Sequence, residues 1–410
     1  MMDSPNRAAI ECMRMCRGRI GARMGVFYQK GNKRTMKEIN QQRLVKRFIE
    51  LTEIDSPSFQ EREMADYLQR ELKRLAVVVH EDDSAERIGG NSGNIYGCLP
   101  AKGTRKEEAA PLLFLAHMDT VEPARSRKAI LHEDGRITSD GTTVLGADDQ
   151  AALAVMLEVI QELQEENAEH PELEFLFAAA EEAYTVGASA MDLSVFKAKE
   201  AFALDLSDET GGYSVQEPTL ISFTIHVHGK ASHAGFDPED GINAIAAAAK
   251  AVAKIPQGRI NDHSTFNIGM IQGGTGTNII PESAEVRGEL RCTVHEEALQ
   301  MYEDAVRIFH EEAEAMGASV SAEKTVHLKA YHVEEDDPAL RRYKRAAEMQ
   351  GYSVFPVKTF GGSDVNVLRR NGIEGLCISG AMHNVHTTSE YTTVQELTEA
   401  AEIVKQIMTE

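Results

Sequence analysis

Histidines and carboxylates stand at the ends of this chain's short apolar runs. Residues 112–116 (Leu-Leu-Phe-Leu-Ala) run into His117-Met118-Asp119, and residues 175–180 run into Glu181-Glu182. Residues 201–204 are followed by Asp205, and residues 377–380 by His383 and His386. A fifth segment, 145–149, ends in Asp148-Asp149 where a helix is predicted to start. Taken singly, each has an ordinary explanation. His117 fits a hydrogen-bonded core residue, Asp148-Asp149 a helix N-cap favoured by the macrodipole, and Glu181-Glu182 a solvated loop. Together, five convergent groups that mostly accept protons would repel one another unless a cation lay between them. Imidazole and carboxylate ligands with no nearby thiolate suit zinc, and also cobalt or manganese.

Positioning these groups requires a sheet with its strand ends aligned. The runs at 111–116, 173–180 and 201–206 are short and continuous, as buried parallel strands are. A helix beginning near Asp149 separates the first two, which is the βαβ pattern of a doubly wound α/β sheet. In such sheets ligands collect beyond the carboxyl ends of the strands, where the candidate residues lie. Amphipathic helices are predicted over 40–52 and 59–74, broken at Ser56-Pro57-Ser58. After about residue 216 the pattern changes. Strictly alternating residues 220–228, a helix at 242–255, strands at 264–271 and 283–293, a helix at 296–316 and a strand at 319–328 give the order β-α-β-β-α-β. This is a ferredoxin-like domain. Alternating helices and strands then return: helix 339–349, strand 353–357, helix 364–370, strand 375–379 and helix 394–408. The expected organisation is an extension at 1–35, a catalytic domain over 36–216 and 331–410, and a lid or dimerisation domain inserted at 217–330.

Read together, these segments resemble the di-zinc metallopeptidases that include peptidase T, carboxypeptidase G, carnosinase-type dipeptidases and aminoacylases. The resembling stretches are His117-Met118-Asp119-Thr120-Val121, the string 139–149 (Ser-Asp-Gly-Thr-Thr-Val-Leu-Gly-Ala-Asp-Asp), Ala180-Glu181-Glu182 and Ala203-Leu204-Asp205. Further along are residues 229–235 (Gly-Lys-Ala-Ser-His-Ala-Gly), Gly361-Gly362-Ser363-Asp364 and His386-Thr387-Thr388. They occur in the family's order from about Met36 to the end, and the 139–149 string is most similar to the peptidase T branch, the tripeptide aminopeptidases. The resemblance implies two zinc ions bridged by Asp148, one also held by His117 and Asp205, the other by Glu182 and His386. It implies Asp119 as the carboxylate orienting His117, and Glu181 as general base. It further implies His233 as an oxyanion donor reaching the other subunit of a homodimer, and Arg291 as the partner of a substrate carboxylate. Asn278 and Gly362 would line the pocket. Two positions depart from the pattern. Gln150 stands where Lys or Arg is common, which puts a salt link behind Asp148 in question. Tyr184 stands where Gly is common, which brings a ring toward the base.

The bulk properties agree with this chemistry. The 410 residues are 42% hydrophobic and 26% charged, ordinary for a globular protein of two or three domains. With 43 Lys plus Arg against 65 Asp plus Glu, the formal charge is −22, which excludes nucleic acid as a main partner. No run of about 18 apolar residues is present, so no membrane-spanning helix is expected. Five cysteines are too few and scattered for a disulfide framework, pointing to a reducing, cytoplasmic setting. Residues 1–35 hold eight basic residues and two acidic ones, with no apolar stretch of signal-peptide type. They read as an overlong start or an organelle transit segment, and Cys12 and Cys16 as idle. The expected enzyme hydrolyses the amide bond of short peptides. N-acyl-amino-acid amidohydrolase or carboxypeptidase action are alternatives within the same chemistry. A non-catalytic scaffold or an acidic metal store fits less well, because every ligand position and the base are filled.

Overall fold

The computed structural model describes residues 38–103 and 109–410, and the expectations for 1–35 lie outside them. Two amphipathic helices come first, α1 (Gln41–Thr52) and α2 (Arg62–Arg74). An antiparallel pair follows, β1 (Val78–Glu81) and β2 (Ile95–Leu99), with the short α3 (Ser84–Ile88) between them. The predicted buried strands are β3 (Leu112–His117), β6 (Leu173–Ala178) and β7 (Glu200–Leu206), the first two buried along their whole length. Between β3 and β6 runs α4 (Ala147–Glu165). Its residues from Ala151 to Ile160 are all buried, as expected of a helix that is apolar on every side. Two of its buried acids are paired: Glu158 with Arg43 and Arg47 of α1, and Glu162 with Lys405. Burying those charges is tolerable only because each has its counter-ion.

The sheet continues through β8 (Gly212–Glu217), β14 (Tyr331–His332), β15 (Phe355–Lys358) and β16 (Glu374–Ser379). Its order is β1-β2-β6-β3-β7-β16-β8-β14, with β15 also on β8. The centre, β6-β3-β7-β16, is parallel, and β1, β2, β8 and β14 pair antiparallel around it. Successive strands β6 and β7 lie on opposite sides of β3. The order therefore reverses at the end of β3, the place where such sheets open a crevice for ligands. A small sheet of β4 (Ile130–Leu131), β5 (Arg136–Thr138) and β17 (Tyr391–Thr393) lies apart from the main one.

The second large sheet holds β9 (Thr219–His228), β10 (Gly258–Asn261), β11 (Ser264–Gly273), β12 (Ser283–Cys292) and β13 (Ser319–Leu328) in the order β10-β11-β12-β9-β13, all antiparallel. Without β10 this is the ferredoxin-like order. β10 escapes the sequence pattern because its four residues are mostly exposed and do not alternate. The alternating residues Ile221, Phe223, Ile225 and Val227 of β9, with Ala284, Val286, Leu290 and Cys292 of β12, form the core under α6 (Ala244–Lys254) and α7 (His295–Glu314). Asn243 caps α6 by accepting from the Ala246 N–H, one of the side-chain caps that fix helix starts. The remaining helices are the short α5 (Val186–Ala190), then α8 (Pro338–Gln350), α9 (Asp364–Arg370) and α10 (Val394–Thr409). Among the described residues no helix is long and apolar enough to cross a membrane.

Candidate metal centre

Strand β3 ends on His117, whose Nδ1 lies 2.9 Å from the Asp119 carbonyl oxygen. That contact turns Nε2 toward Asp148, 2.9 Å from its Oδ1. Asp148 belongs to the turn into α4, entered through Gly146 at φ 81, a left-handed conformation that glycine adopts readily. Its other oxygen faces His386, whose Nε2 is 3.3 Å from Asp148 Oδ2 and 3.0 Å from Glu182 Oε1. Asp205, the next-to-last residue of β7, completes one three-ligand group with His117 and Asp148. Asp148, Glu182 and His386 make a second, and in each group the ligand atoms lie within 4.8 Å of one another. Asp148 is common to both groups and gives one oxygen to each histidine. His383 is elsewhere, paired with Glu396 at 2.7 Å.

The electrostatics of the cluster fit cations. Burial drives Asp205 and Glu181 well above the usual carboxylate range, reinforced by neighbouring acids, and it raises Glu182 too. Asp148 is held low against the same burial by His117 and His386. Contacts with Asp148 and Glu182 raise His386 to about 10. Crowded carboxylates that resist ionisation, and imidazoles that hold protons only by facing them, are groups whose protons divalent ions would displace. Buried oxygens Asp149 Oδ1 and Asp364 Oδ1 find no hydrogen-bond partner among the described residues. The donor set carries oxygen and nitrogen only, which suits zinc, cobalt or manganese.

Beside these ligands is a cavity of 440 Å³, bordered by Glu181, Asp205, His386, Phe360 and Gly362 among others. A Cβ at Gly362 would sit 2.1 Å from Leu328 Cδ1, so a larger residue there would require the Leu328 side chain to shift. The carboxylate of Asp119 lies 3.4 Å from His117 Nδ1, and the Asp119 carbonyl oxygen is nearer at 2.9 Å, so both face the same ring nitrogen. The carboxylate accepts from the backbone N–H of Glu181 (2.9 Å) and Glu182 (3.2 Å), and from Ser58 Oγ (2.7 Å). It thereby fixes the turn that aims the two glutamates apart. The Tyr184 ring stacks on His327 of β13, centroids 4.3 Å apart, and is not among the residues bordering the cavity.

Three further candidates lie on the β9–β13 sheet or its loops. His233 is exposed, and its Nδ1 accepts from the N–H groups of Gly235 and Phe236, both at 3.1 Å. With Nδ1 occupied as an acceptor, hydrogen bonding assigns the proton to Nε2. Asn278 is exposed, and its carbonyl accepts from the Ala234 N–H at 3.0 Å. Neither His233 nor Asn278 borders the cavity. Arg291 donates to the Phe360 carbonyl (2.9 Å) and to Glu289 (3.0 Å), so it touches the cavity wall from behind.

Two functional neighbours are absent from the sequence reading. Glu390 is buried and accepts from the N–H groups of Gly146 (2.7 Å) and Asp148 (3.0 Å), which shapes the turn presenting Asp148. Its only sequence signal is its place four residues after His386. Arg127 is the buried cation behind the same turn, beside Gly146 and Gln150. It donates to the Thr52 carbonyl at 2.7 Å and to Thr120 Oγ1. No spacing rule links it to Asp148.

Residues 215–316 match a family model described as the peptidase dimerisation domain of M20 enzymes, and residues 94–234 match one for peptidase family M28. An aminopeptidase PepT of Bacillus cereus is 38% identical and superposes with a TM-score of 0.82 over 90% of this chain and 98% of its own. A tripeptidase of Staphylococcus aureus is 30% identical, with a TM-score of 0.85 over 91% and 99%. The Bacillus subtilis YXEP protein, described as a dinuclear metal-binding peptidase of the M20 family, is 20% identical with a TM-score of 0.68 over 90% and 97%, and shares the fold.

Proposed function

The chain belongs to the M20 peptidase family and is a hydrolase, and we propose that it is a peptidase T-like aminopeptidase acting on short peptides. In this reading His117, Asp148 and Asp205 hold one zinc ion and Asp148, Glu182 and His386 a second, with cobalt or manganese as possible substitutes. The observation that carries it is the shared carboxylate: two three-ligand groups meet at Asp148, each with its own histidine. A pair of ions there would acidify a water and polarise the scissile carbonyl. Glu181, which borders the cavity but belongs to neither ligand group, takes a proton from the attacking water and returns it to the leaving amine. Asp119 keeps Glu181 and Glu182 in their separate tasks by gripping their backbone N–H groups.

Residues 217–330 serve as lid and dimerisation domain between catalytic segments 36–216 and 331–410, and the dimerisation match supports a homodimer. His233 donates from Nε2 to the oxygen where negative charge develops, in the partner's site, while Arg291 binds a substrate carboxylate. Asn278 and Gly362 contribute pocket backbone. A cytoplasmic setting is supported by the free thiols of Cys98, Cys292 and Cys377.

The test is a panel of di- and tripeptides, each also blocked at either terminus, assayed with zinc and with cobalt. Cleavage confined to peptides with a free amino terminus is expected. Hydrolysis of N-acylated substrates instead would make the enzyme an N-acyl-amino-acid amidohydrolase or a carboxypeptidase, and hydrolysis of none would reject the reading.

A further inference from the structure

A second cluster of metal-ligand types lies in the inserted domain, outside the dinuclear centre. His263, Cys292 and Glu297 bring an imidazole, a thiol and a carboxylate within 4.8 Å of one another. They come from three separate elements: the turn between β10 and β11, the last residue of β12, and the first turn of α7. His263 Nε2 is 2.8 Å from Glu297 Oε2. That contact alone would be an ordinary, exposed pair worth little. Cys292 makes the difference. It is fully buried on the inner face of β12, where a strand that simply needed filling could carry any small apolar residue.

The backbone around the cluster is fixed before any ligand arrives. The Thr293 N–H donates to the His263 carbonyl at 3.0 Å, and the His263 N–H donates to Asn261 Oδ1, also at 3.0 Å. Ser264, next to His263, is the cross-strand partner of Cys292, and its hydroxyl donates to the same Asn261 oxygen at 2.8 Å. Held groups lose less entropy on binding than free ones. One sulfur, one imidazole nitrogen and one carboxylate oxygen, with water in the fourth position, form a set that suits zinc and cobalt and is poor for calcium or magnesium.

We propose that His263, Cys292 and Glu297 form a third metal site, for a single zinc-type divalent cation, that fastens the β10–β11 turn and the end of β12 to the start of α7. It is independent of the dinuclear centre, whose five groups include no sulfur. This difference provides the probe. Full-length protein is titrated with cobalt(II) alone, and the thiolate-to-cobalt charge-transfer absorption is followed in the near ultraviolet. The sulfur-free dinuclear centre takes up cobalt without such absorption. A band whose full intensity corresponds to one thiolate-bound cobalt per chain, and that is bleached by zinc, is expected. It should survive in a Cys12→Ser/Cys16→Ser background, disappear in Cys292→Ser, and leave peptide hydrolysis by that variant unchanged. Cys292 is a core residue, so His263→Gln and Glu297→Gln provide the second measurement at more exposed positions. Loss of a ligand's mere supporting partner costs about 10–100-fold in metal affinity, so either ligand substitution should weaken the band's cobalt affinity by no less. No thiolate band in the wild-type protein, a band that persists in Cys292→Ser, or one indifferent to both His263→Gln and Glu297→Gln would each overturn the proposal.

Discussion

Glu181 and Glu182 are adjacent, identical in type and both border the cavity, yet their surroundings separate them: Glu182 faces His386 at 3.0 Å within a ligand group, while Glu181 belongs to neither group. Glu181→Gln should therefore keep the metals and the fold and lower turnover about 10²–10⁴-fold, the usual contribution of a general base. Glu182→Gln should show the reverse order, with metal lost first. Parallel metal analysis and peptide hydrolysis separate the two, and near-normal turnover in Glu181→Gln would remove the base from the mechanism. Arg291 is a different case, since its guanidinium already holds the Phe360 carbonyl. A charge-assisted contact contributes about 1.5–3 kcal/mol, so Arg291→Ala should raise KM roughly tenfold or more for peptides with a free carboxylate and little for their amides. Equal losses on both would mean that Arg291 acts by supporting the Phe360 wall. The five candidate ligands were legible in the sequence because each stands at or beyond the end of an apolar run or at the opening of a helix. Glu390 and Arg127 were not, because they act through backbone groups that only the folded turn brings to them.

At the scale of elements, Glu217 closes β8 and holds the start of α9, accepting from the Ser363 N–H (3.1 Å) and Ser363 Oγ (2.9 Å) next to the cavity wall. Burial pushes its carboxyl from 4.5 up to about 7, although the hydrogen bonds from Ser363 oppose the shift. The native state therefore holds this proton more tightly than the unfolded chain. Its stabilising effect is complete below pH 4.5 and is lost as pH rises through 7. The loss amounts to at most about 3 kcal/mol. Glu217→Gln keeps the volume and removes the ionisation, so the variant should gain on the wild type between about pH 5 and pH 8 in urea midpoints. A constant difference across that range would show that Glu217 is not the titrating group. The elements themselves were largely readable: α4 from its apolar run, β9 and β12 from strict alternation, and the βαβ centre from their order. The antiparallel borders of the main sheet were not, because strand direction follows from connections rather than from a strand's own residues. The exposed β10 also left no pattern to read.

For the whole molecule, the relation that matters is between the dimerisation domain and the candidate metal centre. His233 lies within the stretch matching the M20 dimerisation domain, is exposed, and does not border the cavity of its own chain. Its Nδ1 is occupied by two backbone N–H groups, which leaves Nε2 as a donor directed outward. A donor so prepared, with no acceptor in its own chain's cavity, suits a site completed by a second subunit. Loss of one such donor typically costs about 100–1,000-fold in turnover, so His233→Ala should be nearly inactive while keeping its metals. Glu181→Gln should be nearly inactive for a different reason. When the two variants are mixed under conditions that exchange subunits, half of the dimers are mixed. Each mixed dimer then contains one site with an intact Glu181 from one chain and an intact His233 from the other. Recovery of about one quarter of wild-type activity is expected, since one site in two is whole in half of the dimers. If His233 served its own chain, each site in a mixed dimer would carry one lesion and activity would stay at the level of the parents. Subunit exchange demonstrated with tagged chains, together with no recovery, would exclude the shared site.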